Sequence, residues 1–383
     1  MTDPTPDTEV LKTPLHALHL ELGARMTPFA GYDMPVQYPL GIMKEHLHTR
    51  AQAGLFDVSH MGQVILRPKS GNLADAALAL ERLVPVDVLG LAEGRQRYAL
   101  FTSPDGGILD DLMITNRGDH LFLVVNAACK DADEAHMRAH LSDVCEIERL
   151  DGRALMALQG PAAGAVLASL APESAKMRFM DVRDLKLAGA ECIVSRSGYS
   201  GEDGFEISVP NADAVTLAKA LIAHEAVEPI GLGARDSLRL EAGLCLYGSD
   251  LDTTTSPVEA SLVWAMQKTR RTGGAREGGF PGAARILGEL INGASRRRVG
   301  LLPDGRAPIR GGTELFAAEG DADPIGIVTS GAFGPSLGRP MAMGFVPSDL
   351  AVTGTRLYAE VRGKRLPLRV ADMPFVKPNY RRA

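Results

Sequence analysis

The sequence has no long apolar run, and its cysteines and aromatic residues are few. None of its 383 residues lies in a stretch approaching the roughly 20 apolar residues that a membrane-spanning helix needs. Its four cysteines, at positions 129, 145, 192 and 245, form no CxxC pair, so neither a disulfide framework nor a zinc ribbon is indicated. A formal net charge of −6 argues against binding nucleic acid through bulk charge. We therefore expect neither a membrane nor a nucleic-acid partner.

The amino-terminal segment MTDPTPDTEV is acidic and contains two prolines. It has neither the basic start and apolar core of a secretory signal nor the arginine-rich pattern of a transit peptide. We expect a cytoplasmic protein whose first dozen residues form a disordered leader.

Apolar periodicity predicts a mixture of short helices and strands, which is typical of an α+β fold. Helical spacing occurs at 41–52, 72–83, 127–143, 161–170 and 211–225. Strand-like runs occur at 62–67, 97–102, 108–115, 121–126, 154–158, 190–196 and 204–209. The turn residues SPDGG predict that 97–102 and 108–115 form a hairpin.

The composition changes near residue 268, where the basic, glycine-rich stretch KTRRTGGAREGG begins. Beyond about residue 295 helical periodicity disappears, which predicts a small C-terminal β-barrel or sandwich. Its strand-like runs are 298–302, 314–318, 325–329, 341–346, 356–361 and 366–370.

Two adjacent acids, Asp110 and Asp111, interrupt the apolar run GGILDDLMI. Neighbouring side chains of a strand point to opposite faces, and here both faces carry apolar residues. At least one carboxylate must therefore lie against an apolar surface, where an ionised group is costly unless something binds it. The alternatives are an acid that caps a turn or pairs with a base, and a carboxylate aimed at a ligand that carries N–H groups.

A second embedded acid, Glu206, lies in SRSGYSGEDGFEISV. Alternation places Phe205, Ile207 and Val209 on one face of a strand and Glu206 on the other. That other face could be solvated. Alternatively, Glu206 accepts hydrogen bonds from a planar ligand, with Tyr199 as a nearby packing surface.

Other charged groups have plainer interpretations. The segment GARDSLRLEAG predicts a helix across the core with internal ion pairs, and it contains Arg235. The basic residues between 268 and 298 suit a solvated face, an anionic tail or an acidic protein partner. His46 and His48 are two residues apart on a helix and would not face one metal ion, so we expect no metal site.

Several motifs occur in order along nearly the whole chain. They are GLFDVSHMG (54–62), GGILDDL (106–112), LVVNAACKDAD (123–133), ALQGP (157–161), SRSGYSGEDGFE (195–206), GLGARDSLRLEAGLCLYG (231–248) and TSGAFGPSLGRPMAMGFV (329–346). Together they resemble the aminomethyltransferase, or T-protein, family of the glycine cleavage system.

The resemblance implies three domains arranged as a cloverleaf around a central folate cavity. In that arrangement, 1–61 with 152–234 forms a discontinuous first α+β domain. The second α+β domain combines 62–151, which carries Asp111, with 235–281. Residues 282–383 form the C-terminal β-barrel.

The resemblance also implies the reaction. The methylene carbon of an aminomethyl-lipoyl group, carried by H protein, passes to the cosubstrate tetrahydrofolate. The products are ammonia, 5,10-methylenetetrahydrofolate and dihydrolipoyl H protein. The lipoyl group belongs to the partner, and no metal is implied.

Site residues are carried over on the matching motifs. Asp111 falls on the catalytic carboxylate, whereas Asp110 falls on a structural position. The positions that line the folate cavity or bind substrate are Met61, Tyr98, Asn126, Tyr199, Glu206, Arg235 and Tyr380. Among these, Glu206 would accept hydrogen bonds from the pterin and Arg235 would meet glutamyl carboxylates or pterin oxygen.

Two departures and two rival readings accompany the resemblance. Tyr32 replaces a usual tryptophan, and Leu244 stands where some relatives have tyrosine. A folate-dependent demethylase of a methylated amine or sulfur compound would share the same fold. A folate-binding iron–sulfur assembly factor is disfavoured because GGFPGAARI (278–286) lacks the cysteine of that group's signature.

Overall fold

The computed structural model describes residues 10–382, in which eight α-helices and nineteen β-strands occur. No helix among these residues is both long and apolar enough to cross a membrane. The helices are α1 His16–Glu21, α2 Ile42–Ala51, α3 Leu73–Leu80, α4 Lys130–Leu141, α5 Ala163–Leu170, α6 Asn211–Ile222, α7 Leu232–Glu241 and α8 Ala283–Asn292.

The strands of the first two-thirds of the chain form three sheets. Their bounds are β1 Arg25–Phe29, β2 Tyr32–Gln37, β3 Ala53–Asp57, β4 Gly62–Pro68, β5 Arg95–Thr102, β6 Ile108–Asn116, β7 Leu121–Val125, β8 Cys145–Arg149, β9 Arg153–Gln159, β10 Val182–Leu187, β11 Ala190–Ser195, β12 Gly204–Pro210 and β13 Val227–Pro229.

The two larger sheets are built from interleaved parts of the chain. One has six strands in the order β10-β11-β12-β9-β3-β13, and the other has five in the order β5-β6-β7-β4-β8. Strand β3 therefore lies beside β9, although every strand of the five-stranded sheet falls between them in the sequence. The smallest sheet is the antiparallel pair β1-β2. The residue boundaries given above for the three domains stay predictions.

The C-terminal region is a closed barrel in the order β14-β17-β16-β15-β18-β19. Closure gives every strand a partner on both sides, so no edge is left to pair with another chain. The strands are β14 Arg296–Pro303, β15 Glu314–Phe316, β16 Gly326–Gly334, β17 Arg339–Pro347, β18 Arg356–Val361 and β19 Lys364–Ala371. The predicted α+β fold with a C-terminal barrel is confirmed.

Alternation along β12 explains how the six-stranded sheet is buried on both faces. Phe205, Ile207 and Val209 are fully buried on one face, in a core that α5 and α6 cover. On the other face Glu206 and Ser208 line a small internal cavity. The opposite wall of that cavity comes from β5, β6 and β7, through residues such as Thr115 and Val124. A solvated outer face for Glu206 was therefore the wrong alternative.

Local structure departs from expectation in a few places. Helix α8 was not predicted, and neither were β1, β2, β3, β8, β10 and β13. Short strands and a helix that starts inside a glycine-rich loop give weak periodic signals. The predicted leader is ordered at Leu11, whose N–H donates to the carbonyl of Gly31, and residues 1–9 lie outside the described part.

Candidate functional site

The turn that carries the acid pair is fixed by close contact with a loop from another part of the chain. Strands β5 and β6 form the predicted hairpin. A Cβ on Gly107 would lie 1.7 Å from the carbonyl oxygen of Thr253, so only glycine fits there. The N–H of Ile108 then donates to the carbonyl of Asp252. These contacts set where β6 begins, and with it the faces on which the two acids lie.

The two acids lie on opposite faces of β6. Asp110 is fully buried, and Asp111 is partly exposed. Because Leu112 pairs with Val125 of β7, Asn126 falls directly beside Asp111. Nδ2 of Asn126 donates to Oδ1 of Asp111 at 2.9 Å and to Oδ1 of Asp110 at 3.0 Å. One amide group therefore joins both carboxylates.

The environment of Asp111 favours its neutral form. Removal from water and the charge of Asp110 raise the pKa of Asp111 to about 7, although hydrogen bonds from Tyr98 and Asn126 act in the opposite direction. A carboxyl with a pKa near neutrality can exchange a proton at physiological pH. The ring of Tyr98 stacks on Trp264 with centroids 5.3 Å apart, and Trp264 is 62% exposed.

Tyr199 and Arg235 form a second part of the site. The hydroxyl of Tyr199 donates to the carbonyl of Cys245, which fixes the ring. The guanidinium of Arg235, in the first turn of α7, lies 4.7 Å from the centroid of that ring. This distance is within the range of a cation–π interaction. Burial raises the pKa of Tyr199, and the charge of Asp111 adds to this because the two parts of the site lie near each other.

Glu206 completes the cluster from β12. Its Oε2 accepts a hydrogen bond of 2.6 Å from the hydroxyl of Ser197. Arg235 is near enough for the charge of Glu206 to act on the pKa of that guanidinium, which burial lowers. Met61 packs nearby, against a buried group that includes Ala234 of α7. The structure thus brings together all but one of the predicted site residues.

The comparisons with known proteins agree with this arrangement. Residues 15–270 match the family model described as GCVT N-terminal domain. Residues 296–377 match the model described as glycine cleavage T-protein C-terminal barrel domain. The chain belongs to the glycine cleavage T-protein family.

Individual relatives cover nearly the whole chain. It is 43% identical to the mitochondrial aminomethyltransferase of Dictyostelium discoideum, over 98% of this chain and 94% of that protein. It is 45% identical to the mitochondrial aminomethyltransferase of Pisum sativum, over 98% and 91%. The crystal structure of glycine cleavage system aminomethyltransferase T from Bartonella henselae matches with a TM-score of 0.90 and 43% identity, covering 98% of this chain and all of that one.

These relatives establish the class of function. The chain is an enzyme of the T-protein type, an aminomethyltransferase of the glycine cleavage system. The predicted recognition and function are confirmed. The demethylase and the iron–sulfur assembly factor are correspondingly disfavoured.

One predicted site residue, Tyr380, has its contacts elsewhere in this T protein. Its ring stacks on Phe179 with centroids 4.3 Å apart. The N–H of Phe179 donates to the carbonyl of Arg381, and the N–H of Asn379 donates to the carbonyl of Gly201. The C-terminal tail is thus tied to the loop that carries Tyr199. The assignment of Tyr380 to the folate site stays a prediction.

Most arginines of the basic segment that begins at residue 268 make hydrogen bonds within the protein. Arg270 is buried and donates to the carbonyl of Glu81 at 2.7 Å. Arg276 donates to the carboxylate of Glu81 at 2.9 Å, and Arg271 donates to the carbonyl of Val263. These three cations hold the segment against Glu81 and Val263, so a uniformly solvated basic face was the wrong interpretation.

Several residues of the site had no clear signal in the sequence. Trp264 and Asp133 touch the cluster around Asp111 through Tyr98 and Asp110. His60 is buried, and burial lowers the pKa of its imidazole to about 4. Lys130 donates to the hydroxyl of Tyr32 at 2.6 Å. Tyr32 is the residue noted above as the replacement of a usual tryptophan. The available signal was membership of the motifs: His60 lies in GLFDVSHMG, and Lys130 and Asp133 lie in LVVNAACKDAD.

Among the described residues, no three His, Cys, Asp or Glu side chains are grouped as metal ligands.

Proposed function

We propose that this T protein transfers its one-carbon unit at Asp111. The substrate is the aminomethyl group on the lipoyl arm of H protein, and tetrahydrofolate is the acceptor. The observation that carries the proposal is a partly exposed carboxylate with a pKa of about 7, held by Asn126 at 2.9 Å and flanked by Tyr98. Transfer of the methylene carbon with loss of ammonia needs such a group near nitrogen.

Asp111 acts through its charge and its proton. As a carboxylate it stabilises positive charge that develops on nitrogen when the folate attacks the methylene carbon. Its pKa of about 7 lets it also accept a proton from the attacking nitrogen at physiological pH. The position of Asp111 at the partly exposed face of β6 allows both substrates to reach it.

The remaining residues bind and orient tetrahydrofolate. Glu206 is an acceptor suited to the N–H groups of a pterin, and Arg235 supplies a cation suited to carboxylates or pterin oxygen. Tyr199 provides an aromatic surface that its hydroxyl and Arg235 hold in place. Met61, Tyr98 and Asn126 are proposed as further lining residues. Tyr380 is proposed as a contact that the docked tail contributes.

The lipoyl group is proposed to arrive on H protein, and no metal is proposed to take part. Lys268 and Arg297, near the two ends of the basic segment, have exposed side chains. They are candidates for a docking contact with an acidic partner surface.

The direct test is ammonia release from H protein loaded with the aminomethyl group, with and without tetrahydrofolate. We expect release that depends on folate and yields 5,10-methylenetetrahydrofolate in equal amount. Folate binding without ammonia release would instead favour a demethylase with a different one-carbon donor.

The cytoplasmic location predicted from the sequence is retained as a proposal, although the relatives named above are mitochondrial. Fractionation of the source cells followed by immunoblotting tests it.

A further inference from the structure

The carboxylate of Asp110, which lies behind Asp111, accepts hydrogen bonds on both of its oxygens. Both oxygens of Asp110 accept from Asn126, Oδ2 from the backbone N–H and Oδ1 from the side-chain amide, each at 3.0 Å. The thiol of Cys129 also donates to Asp110. These donors favour the anion of Asp110 and oppose the effect of its full burial, which raises its pKa.

A third acid, Asp133, lies against that anion. Asp133 is in the first turn of α4 and is 3% exposed. Its side chain is in hydrogen-bonding contact with Asp110. Two carboxyl groups form a hydrogen bond only when one of them carries a proton. Among residues 10–382 no donor reaches the buried Oδ2 of Asp133, so that oxygen gains no hydrogen bond that would favour the anion.

The proton therefore belongs on Asp133. Burial and the charges of Asp110 and Asp111 raise the pKa of Asp133 to about 10. Burial also raises the pKa of Asp110 above its ordinary value, but the hydrogen bonds from Asp133 and Asn126 act in the opposite direction, whereas Asp133 has no such donor on its buried Oδ2. The pair thus carries one negative charge, on Asp110, with its proton on Asp133.

We propose that Asp110 and Asp133 are positioning residues for the reaction at Asp111. Asp133 donates its carboxyl proton to Asp110, and Asp110 grips Asn126 through two hydrogen bonds. Asn126 then holds Oδ1 of Asp111. The negative charge of Asp110, which lies behind Asp111, opposes ionisation of Asp111. Near neutral pH the carboxyl of Asp111 is therefore divided between its neutral and its ionised form. This inference rests on the proposed role of Asp111 and revises Asp110 from a purely structural residue.

Other groups face Asp111 from every neighbouring element. They are Tyr98 of β5, Tyr199 of the loop before β12, Cys245 after α7, and Asp133 and Cys129 at the start of α4. The tyrosines and thiols stay neutral because burial and the nearby acids raise their pKa values. Of these neighbours, Asp110 therefore supplies the negative charge that raises the pKa of Asp111.

The test is an infrared titration of protonated carboxyl groups in the folate-free protein across neutral pH. We expect a carboxyl C=O band that persists well above neutrality and is lost in Asp133→Asn. We also expect a second band that titrates near pH 7, as the pKa of Asp111 is about 7. In Asp110→Asn this midpoint should move down by about one pH unit or more, because a like charge has been removed.

The matched control is Asp131→Asn. Asp131 lies on the same helix, but its side chain is 83% exposed and paired with Arg149. The Asp131→Asn substitution removes one negative charge and should leave both infrared bands as in the wild type.

Two outcomes overturn the inference. One is a persistent band that survives in Asp133→Asn. The other is a midpoint near pH 7 that does not move in Asp110→Asn. The titration needs neither H protein nor turnover, so it can fail while folate-dependent ammonia release is normal. Equally, an absence of ammonia release would reject the proposed function without altering the bands.

Discussion

The side-chain amide of Asn126 lies 2.9 Å from Oδ1 of Asp111, and this hydrogen bond favours the ionised carboxylate. In Asn126→Ala we expect the pKa of Asp111 to rise by about one unit or more, since a hydrogen bond to a charged group contributes about 1.5–3 kcal/mol. The acid limb of folate-dependent ammonia release should move to higher pH by the same amount. A limb that stays in place would contradict the assigned contact.

Glu206 should matter for binding tetrahydrofolate more than for the chemical step. In Glu206→Gln the carboxylate can no longer accept two charged hydrogen bonds, so we expect the KM for tetrahydrofolate to rise about 10-fold or more. Steady-state kinetics with saturating H protein would measure this. The control is Glu191→Gln on the neighbouring strand β11, where the side chain is 77% exposed. Equal KM values in the two variants would reject the pterin contact.

Trp264 offers a direct signal from the site because it is the single tryptophan of the chain. Its ring stacks on Tyr98, which hydrogen-bonds to Asp111. We expect tetrahydrofolate to change the intrinsic tryptophan fluorescence in a saturable way. Asp111→Asn should retain this binding signal, because the substitution keeps the shape of the side chain. A signal that is absent in the wild type would place the folate away from Tyr98.

Glu241 should be a major source of pH-dependent stability. It is fully buried and accepts hydrogen bonds from His46, Arg50 and the backbone N–H of Ser336. Burial acts to raise the pKa of Glu241, but these partners outweigh it and lower the pKa from 4.5 to about 2. Because the folded pKa is the lower one, the stabilisation is complete above the ordinary pKa. It is lost as the pH falls from that value towards about 2.

In Glu241→Gln we therefore expect the free energy of unfolding at neutral pH to fall by about 3 kcal/mol. The difference from wild type should shrink as the pH is lowered below 4.5. Urea denaturation at several pH values measures both effects. As a control, Glu21→Gln removes a carboxylate from an exposed pair with Lys219 and should cost less than about 1 kcal/mol. A pH-independent difference for Glu241→Gln would contradict the assigned pKa.

Much of the local structure followed from the sequence because its signals are short-range. The hairpin across SPDGG and the helix that contains Arg235 needed only turn residues and apolar spacing. The burial of Glu206 did not follow, because its face is covered by a sheet that comes from another part of the chain. The position of Asn126 beside Asp111 also depends on strand register, which periodicity alone does not give.

The partners of the charged residues also could not be predicted from the sequence. The basic residues after 268 looked like an exposed patch, but the partner of Arg270 and Arg276 is Glu81, almost two hundred residues earlier. Likewise Asp133 lies within the helix predicted over 127–143, where Asp131 and Glu134 are also acidic. Its contact with Asp110 joins the first turn of α4 to strand β6. Long-range pairs of this kind require the fold before they can be recognised.

The most direct test of the central claim is the pH dependence of single-turnover methylene transfer to tetrahydrofolate in the wild type and in Asp111→Asn. With a pKa of about 7 for Asp111, the wild-type rate should rise with pH through neutrality as the carboxylate forms. Asp111→Asn should be slower by about 100-fold or more and should lack that rise. A variant that keeps both the rate and the inflection would show that Asp111 does not carry the chemistry.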